Sequence, residues 1–154
     1  MVVNSKAYRY ATWCIQNGNN KVPIYVKKQA KDWIDIVDGN HPEAYIDDEA
    51  FEKIESLLHL MIHPDLRCTM DEGLEDYAWL LIVAALCTKL RNSQNLDIRY
   101  YTTVVLEISR KNFKTFNAAV IFILLLLTDQ QFSRFFSVAP DLKLSSELKV
   151  ALKK

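Results

Sequence analysis

The residues best suited to chemistry in this sequence lie in one short basic run, Ser109-Arg110-Lys111-Asn112-Phe113-Lys114-Thr115. A loop that holds the phosphates of a nucleotide needs three things where a strand turns into a helix. Backbone N–H groups must face inward at the helix N-terminus, where the dipole already favours an anion. A lysine must reach the outer phosphates as a point charge, and a Ser or Thr after it must hold Mg²⁺. Lys114-Thr115 supplies the last two, and Arg110 and Lys111 add positive charge to the same turn. The full spacing G-x-x-x-x-G-K-[ST] is not met, because Ile108 and Phe113 stand at its two glycine positions. From these residues alone two readings stand: a phosphate-binding loop and a solvated basic turn.

Three other groups of residues have the chemistry for a site. Asp71, Glu72, Glu75 and Asp76 precede the apolar stretch YAWLLIVAALC. Four carboxylates invite a metal or acid–base reading, but the same residues are favoured by the positive end of a helix dipole, and that reading is preferred. His59 and His63 are four apart on an expected helix and so share a face. Further ligands are not evident and Pro64 frays the turn, which argues against a metal there. Trp13, Trp33 and Trp79 are spaced as core anchors.

Helices are expected to position much of this. Residues 5 to 17 read as a short helix ended by Asn17-Gly18-Asn19-Asn20. Pro23 starts a second, with Val26, Ala30, Trp33, Ile34 and Val37 at helical spacing, closed by Gly39-Asn40-His41-Pro42. Asp47 or Asp48 caps a third, whose inner face carries Phe51, Ile54, Leu57, Leu58 and Met61. Beyond Cys87 the character changes. Tyr100 to Ile108 is β-branched and aromatic, as a buried strand should be, and the basic run follows it directly. An apolar helix to Leu127, a break at Thr128 to Gln131, a second strand in FSRFFSVA and a helix from Pro140-Asp141 complete the order of a parallel α/β sheet.

Composition sets outer limits. The chain of 154 residues is half apolar and a quarter charged, the balance of a folded domain and not of a disordered tail. Its formal net charge is zero, so no global attraction to nucleic acid follows. Cys14, Cys68 and Cys87 are scattered and odd in number, which argues against a disulfide framework or a zinc site and fits a reducing cytoplasm. The N-terminal residues lack the apolar core of a signal peptide. A membrane span needs roughly 20 apolar residues in a row. The run from Ala118 to Leu127 falls well short of that and reads as a helix buried on all sides.

The string LEISRKNFKT before an apolar helix resembles the variant Walker A loop of phage terminase large subunits, S-R-x-x-G-K-[ST]. Ser109, Arg110, Lys114 and Thr115 match that pattern, and Phe113 replaces its glycine. The tail FSRFFSVAPDLKLSSEL is similar to the strand and helix that follow the loop in that family, and the upstream layout is similar too. The resemblance is strong from Leu74 onward and loose before it.

What the resemblance implies is an α/β fold: a partial P-loop NTPase domain with an incomplete parallel sheet over residues 71–154, beside a helix-rich N-terminal portion over 1–70. It implies ATP and Mg²⁺ as ligands, with Ser109 to Thr115 on the nucleotide, Lys114 on the phosphates, Thr115 on the metal ion and Arg110 as a further phosphate or sensor contact. The partners implied are double-stranded viral DNA, a portal protein, a small terminase subunit and further copies in a ring, with no membrane, in the cytoplasm of a bacterial host. The adenine-reading glutamine of the family has no counterpart, since Ala78 stands at the corresponding place between Tyr77 and Trp79. A Walker B carboxylate and a nuclease domain are expected beyond Lys154, so this chain alone is expected not to hydrolyse ATP. Phe113 is expected to keep negative φ and turn its ring away from the phosphates, because a left-handed conformation costs a side chain about 1–2 kcal/mol. The alternative from another class is a helical interaction protein whose basic loop is incidental.

Overall fold

A computed structural model describes residues 1–17, 21–91, 98–109, 111–129, 133–138 and 142–153. It is mixed α/β and rich in helix, and it divides into two compact units, residues 1–104 and 105–154. The reading from sequence divides the chain at 70/71.

In the first unit α1 (Lys6–Gln16) begins at Ser5, whose hydroxyl accepts from the Tyr8 amide at 3.2 Å. That bond satisfies one of the free N–H groups of the first turn. Ala7, Ala11 and Cys14 form its fully buried stripe, small enough for α2 (Ile24–Val37) and α5 (Asp76–Cys87) to pack closely on it. On α2 the buried residues are Ala30, Trp33 and Ile36, while Val26 is exposed. Gly39 takes φ +77 just after α2, the left-handed stop that glycine accepts without strain. Asp47 caps α3 (Asp48–Leu60) by accepting from the Ala50 amide at 3.0 Å, and Phe51, Ile54 and Leu58 face inward as their spacing requires. A single short turn, α4 (Met70–Gly73), precedes α5. α5 is apolar almost all round and contributes Ala78, Trp79, Ile82, Val83 and Leu86 to the core.

The sheet differs from expectation. Its two strands, β1 (Ala44–Ile46) and β2 (Thr88–Leu90), are antiparallel, with Tyr45 opposite Lys89. β2 follows α5 without a turn, and residues 98–100 run along its other side through Leu90 N–Ile98 O and Tyr100 N–Thr88 O, each 2.9 Å. No parallel pair occurs among the described residues. Of the stretches expected as its strands, Tyr100 to Ile108 and FSRFFSVA, residues 101–108 and 133–138 have no ladder partners among the described residues, and Val105, Phe136 and Val138 are exposed. β-Branched composition favours an extended backbone, but only cross-strand pairing makes a strand of it.

In the second unit α6 (Lys114–Thr128) packs against α7 (Leu142–Ala151). α6 buries one face, Asn117, Ala119, Val120 and Leu124, while Leu126 and Leu127 are exposed. The expectation of a helix covered on all sides is therefore not met. A unit of this size has too few other elements to surround a helix. Among the described residues no helix is long and apolar enough to cross a membrane.

Candidate functional site

The basic run leads straight into α6, with Lys114 and Thr115 as its first two residues and Phe113 as its N-cap. Lys111, Phe113 and Lys114 are exposed, as are Ser109, Asn112 and Thr115. Arg110 lies outside the described residues. The Asn112 side-chain amide donates to Ser109 Oγ, which closes the loop upon itself. Lys114 Nζ reaches back to donate to the Ile108 carbonyl at 2.8 Å. The lysine thus lies folded over its own loop, its ammonium held by the last residue before the turn.

Phe113 has φ +55 and ψ +23, in the left-handed region, and Lys111 has φ +67. The expectation that Phe113 keeps negative φ is wrong. The turn from residue 112 into α6 requires a left-handed residue at this position, and the chain adopts it despite the side chain. Two residues of positive φ flank Asn112, whose φ is not positive. Such alternation is the means by which consecutive N–H groups come to face one concavity. The Phe113 ring packs edge-on against Phe116, with centroids 6.4 Å apart, and remains about half exposed.

A cation at the first position of a helix opposes the dipole. The first turn of α6 has Lys114 and no acidic residue, while α3, α4 and α5 all begin with carboxylates. Phe113 offers no side-chain cap of the kind that Ser5 and Asp47 give α1 and α3. The N-terminus of α6 therefore combines an N-cap residue without a capping side chain, an adjacent ammonium and an exposed hydroxyl at Thr115. The sequence located these residues but not the Ile108 carbonyl as the resting partner of Lys114, since nothing in residue type marks a backbone acceptor.

The other sequence candidates are taken up by the fold. Asp71 and Glu72 start α4, and Glu75 and Asp76 start α5, as the dipole argument holds. His59 and His63 are separated in role. His59 Nδ1 lies 3.0 Å from Asp71 Oδ2 in the last turn of α3. His63 lies beyond that helix, buried, with Nδ1 accepting from the amides of Asp65 and Leu66. No group of three or more metal-ligating side chains occurs among the described residues. Trp33 and Trp79 are core, whereas Trp13 is 42% exposed and is not the anchor expected of it. Ala78 is fully buried on α5, the helix that packs on α1.

Comparison with known proteins finds no matching family model, no matching curated protein and no matching solved structure.

Proposed function

We propose that this chain is the N-terminal part of a phage terminase large subunit and that the loop from Ser109 to Thr115 binds the phosphates of ATP. The observation that carries the reading is the left-handed backbone at Phe113. It puts glycine-type geometry where the S-R-x-x-G-K-[ST] pattern has glycine, directly before a lysine and a threonine that open a helix. The donor set also fits the ligand. Lys114 would leave the Ile108 carbonyl for a phosphate, the amides opening α6 would donate to it, and Thr115 would hold Mg²⁺. Bound Mg²⁺ neutralises phosphate charge. Arg110 would add a further phosphate or sensor contact. Binding of ATP, without a claim of turnover, is the activity proposed for this chain. Packaging of double-stranded DNA in the host cytoplasm, with a portal protein, a small subunit and a ring of copies, follows only as the role of that family.

A second reading, a helical interaction protein with an incidental loop, is favoured by the exposure of Leu126, Leu127, Phe136 and Val138. Trypsin separates the two. Cleavage after Lys111 or Lys114 slows in the presence of Mg²⁺ and a non-hydrolysable ATP analogue under the first reading. Cleavage at an unchanged rate, with the analogue saturating, speaks for the second.

A further inference from the structure

The first unit has a concavity of about 510 Å³ that the nucleotide reading does not use, formed where the outer face of α1 meets the start of α5. Its walls are Tyr10 and Trp13 from α1 and Tyr77 from α5, with Glu75, Asp76 and Arg9 around them. Tyr10 and Trp13 are stacked, with ring centroids 5.9 Å apart and planes inclined by 20°. Both rings line the hollow. Trp13 is 42% exposed.

Charge decides what that surface suits. The side chain of Glu75 does not cap α5 although it stands at the N-cap position, and neither it nor the Asp76 side chain has an ion pair or hydrogen bond among the described residues. Arg9 donates to the Asn4 carbonyl at 3.3 Å. One cation against two carboxylates leaves the lining with a net charge of −1. Burial, then Cys14, Tyr77 and Asp76, push the Tyr10 phenol up to about 12, so it stays neutral at ordinary pH. Electron-rich ring faces beside unpartnered carboxylates attract organic cations by cation–π and Coulomb terms together, while an anion or neutral amide gains neither.

We infer that the hollow between α1 and the start of α5 binds a guanidinium group, held flat against Tyr10 and Trp13 and ion-paired to Glu75 and Asp76. A planar guanidinium both stacks on aromatic faces and meets carboxylates through a fork of donors, which an ammonium does not. The group belongs to a free small molecule or to an arginine side chain of a polypeptide, and the experiment distinguishes them.

The whole chain is titrated calorimetrically with N-acetyl-arginine amide, with the peptide Gly-Gly-Arg-Gly-Gly and with its glutamine counterpart. Both arginine probes are expected to saturate and the glutamine peptide to give no binding heat. Equal affinity of the two arginine probes assigns the site to the isolated group, and tighter binding of the peptide assigns it to a polypeptide. The exposed positions allow Trp13→Ala and the double variant Glu75→Gln/Asp76→Asn to be made without opening the core, and thermal melts check that they fold. Each is expected to weaken the arginine probe about tenfold or more, or about 1.4 kcal/mol. Absence of saturation with both arginine probes, equal binding of glutamine, or unchanged affinity in both variants overturns the inference. Lys114→Ala is expected to leave arginine binding unchanged, so failure here is distinct from failure at the nucleotide loop.

Discussion

Phe113 combines a left-handed backbone with an edge-on ring contact to Phe116. The backbone conformation costs a side chain about 1–2 kcal/mol. An aromatic pair of this kind is typically worth about 0.5–1.5 kcal/mol. Replacing the residue separates the two. Phe113→Ala keeps the backbone cost and loses the ring, whereas Phe113→Gly loses both. Glycine is therefore expected to be more stable than alanine at this position by about 1 kcal/mol, the reverse of their usual order near a helix. Urea melts of the two variants check it, and alanine equal to or above glycine would deny the left-handed conformation. Gly73 is needed for a different reason, close approach. A Cβ there would lie 2.8 Å from His63 Cδ2 and 3.1 Å from Cys68 Sγ, and the buried His63 ring is held by two amides. The pair His59–Asp71 titrates in a predictable sense. The hydrogen bond to Asp71, then its charge, raises His59, so that contribution is complete at acid pH and lost as pH rises through the raised value. Burial pushes Asp71 up but is outweighed by the neighbouring Thr69 hydroxyl and by His59, so its contribution is lost as pH falls through the lowered value. Stability from the pair is thus greatest between the two, and His59→Gln is expected to remove the decline on the alkaline side in pH-dependent thermal melts.

At the scale of elements, the helices were legible because period, cap and breaker agree. Asp47, just ahead of the inward-facing Phe51, marks the start of α3, and Gly39 marks the stop of α2. The sheet was not legible. Such short strands carry no period, and Tyr45 meets Lys89 across the chain with no hairpin turn to fix the register. The stretch from Tyr100 to Ile108 has strand-like composition, yet composition cannot supply the neighbour that its backbone would need. For the loop, residue types were readable, but side-chain preference alone gives the wrong sign of φ at Phe113, because the geometry of the turn outweighs it. On α6, equal residues should differ by position. Leu124 is fully buried, whereas Leu126 and Leu127 are exposed. Leu124→Ala is expected to cost about 2–5 kcal/mol. Leu126→Gln with Leu127→Gln is expected to leave the melt within about 0.5 kcal/mol of the parent, as exposed changes do. The same pair should lower any self-association seen by sedimentation, because it removes apolar surface from solvent contact.

On the scale of the whole molecule, the first unit has a core of Trp33, Phe51, Ile36, Ile54, Leu58, Ile82 and Val83, while the described core of the second is Ala119, Val120, Leu124, Leu148 and the buried Asn117. Small units bury a smaller share of their surface and are correspondingly less stable. Native-state hydrogen exchange is expected to be slowest at the amides of α5 and clearly faster in α6, in line with local stability following buried contacts. A ligand that binds the folded loop stabilises the unit that contains it. That unit is also where the central proposal stands or falls. The direct measurement is a calorimetric titration of the whole chain and of its Lys114→Ala variant with a non-hydrolysable ATP analogue in Mg²⁺. Saturable binding to the parent, weakened about a hundredfold or more in Lys114→Ala, or about 2.7 kcal/mol, with an unchanged melting temperature before ligand is added, is the expected result. No binding to the parent, or equal binding to both, would contradict it.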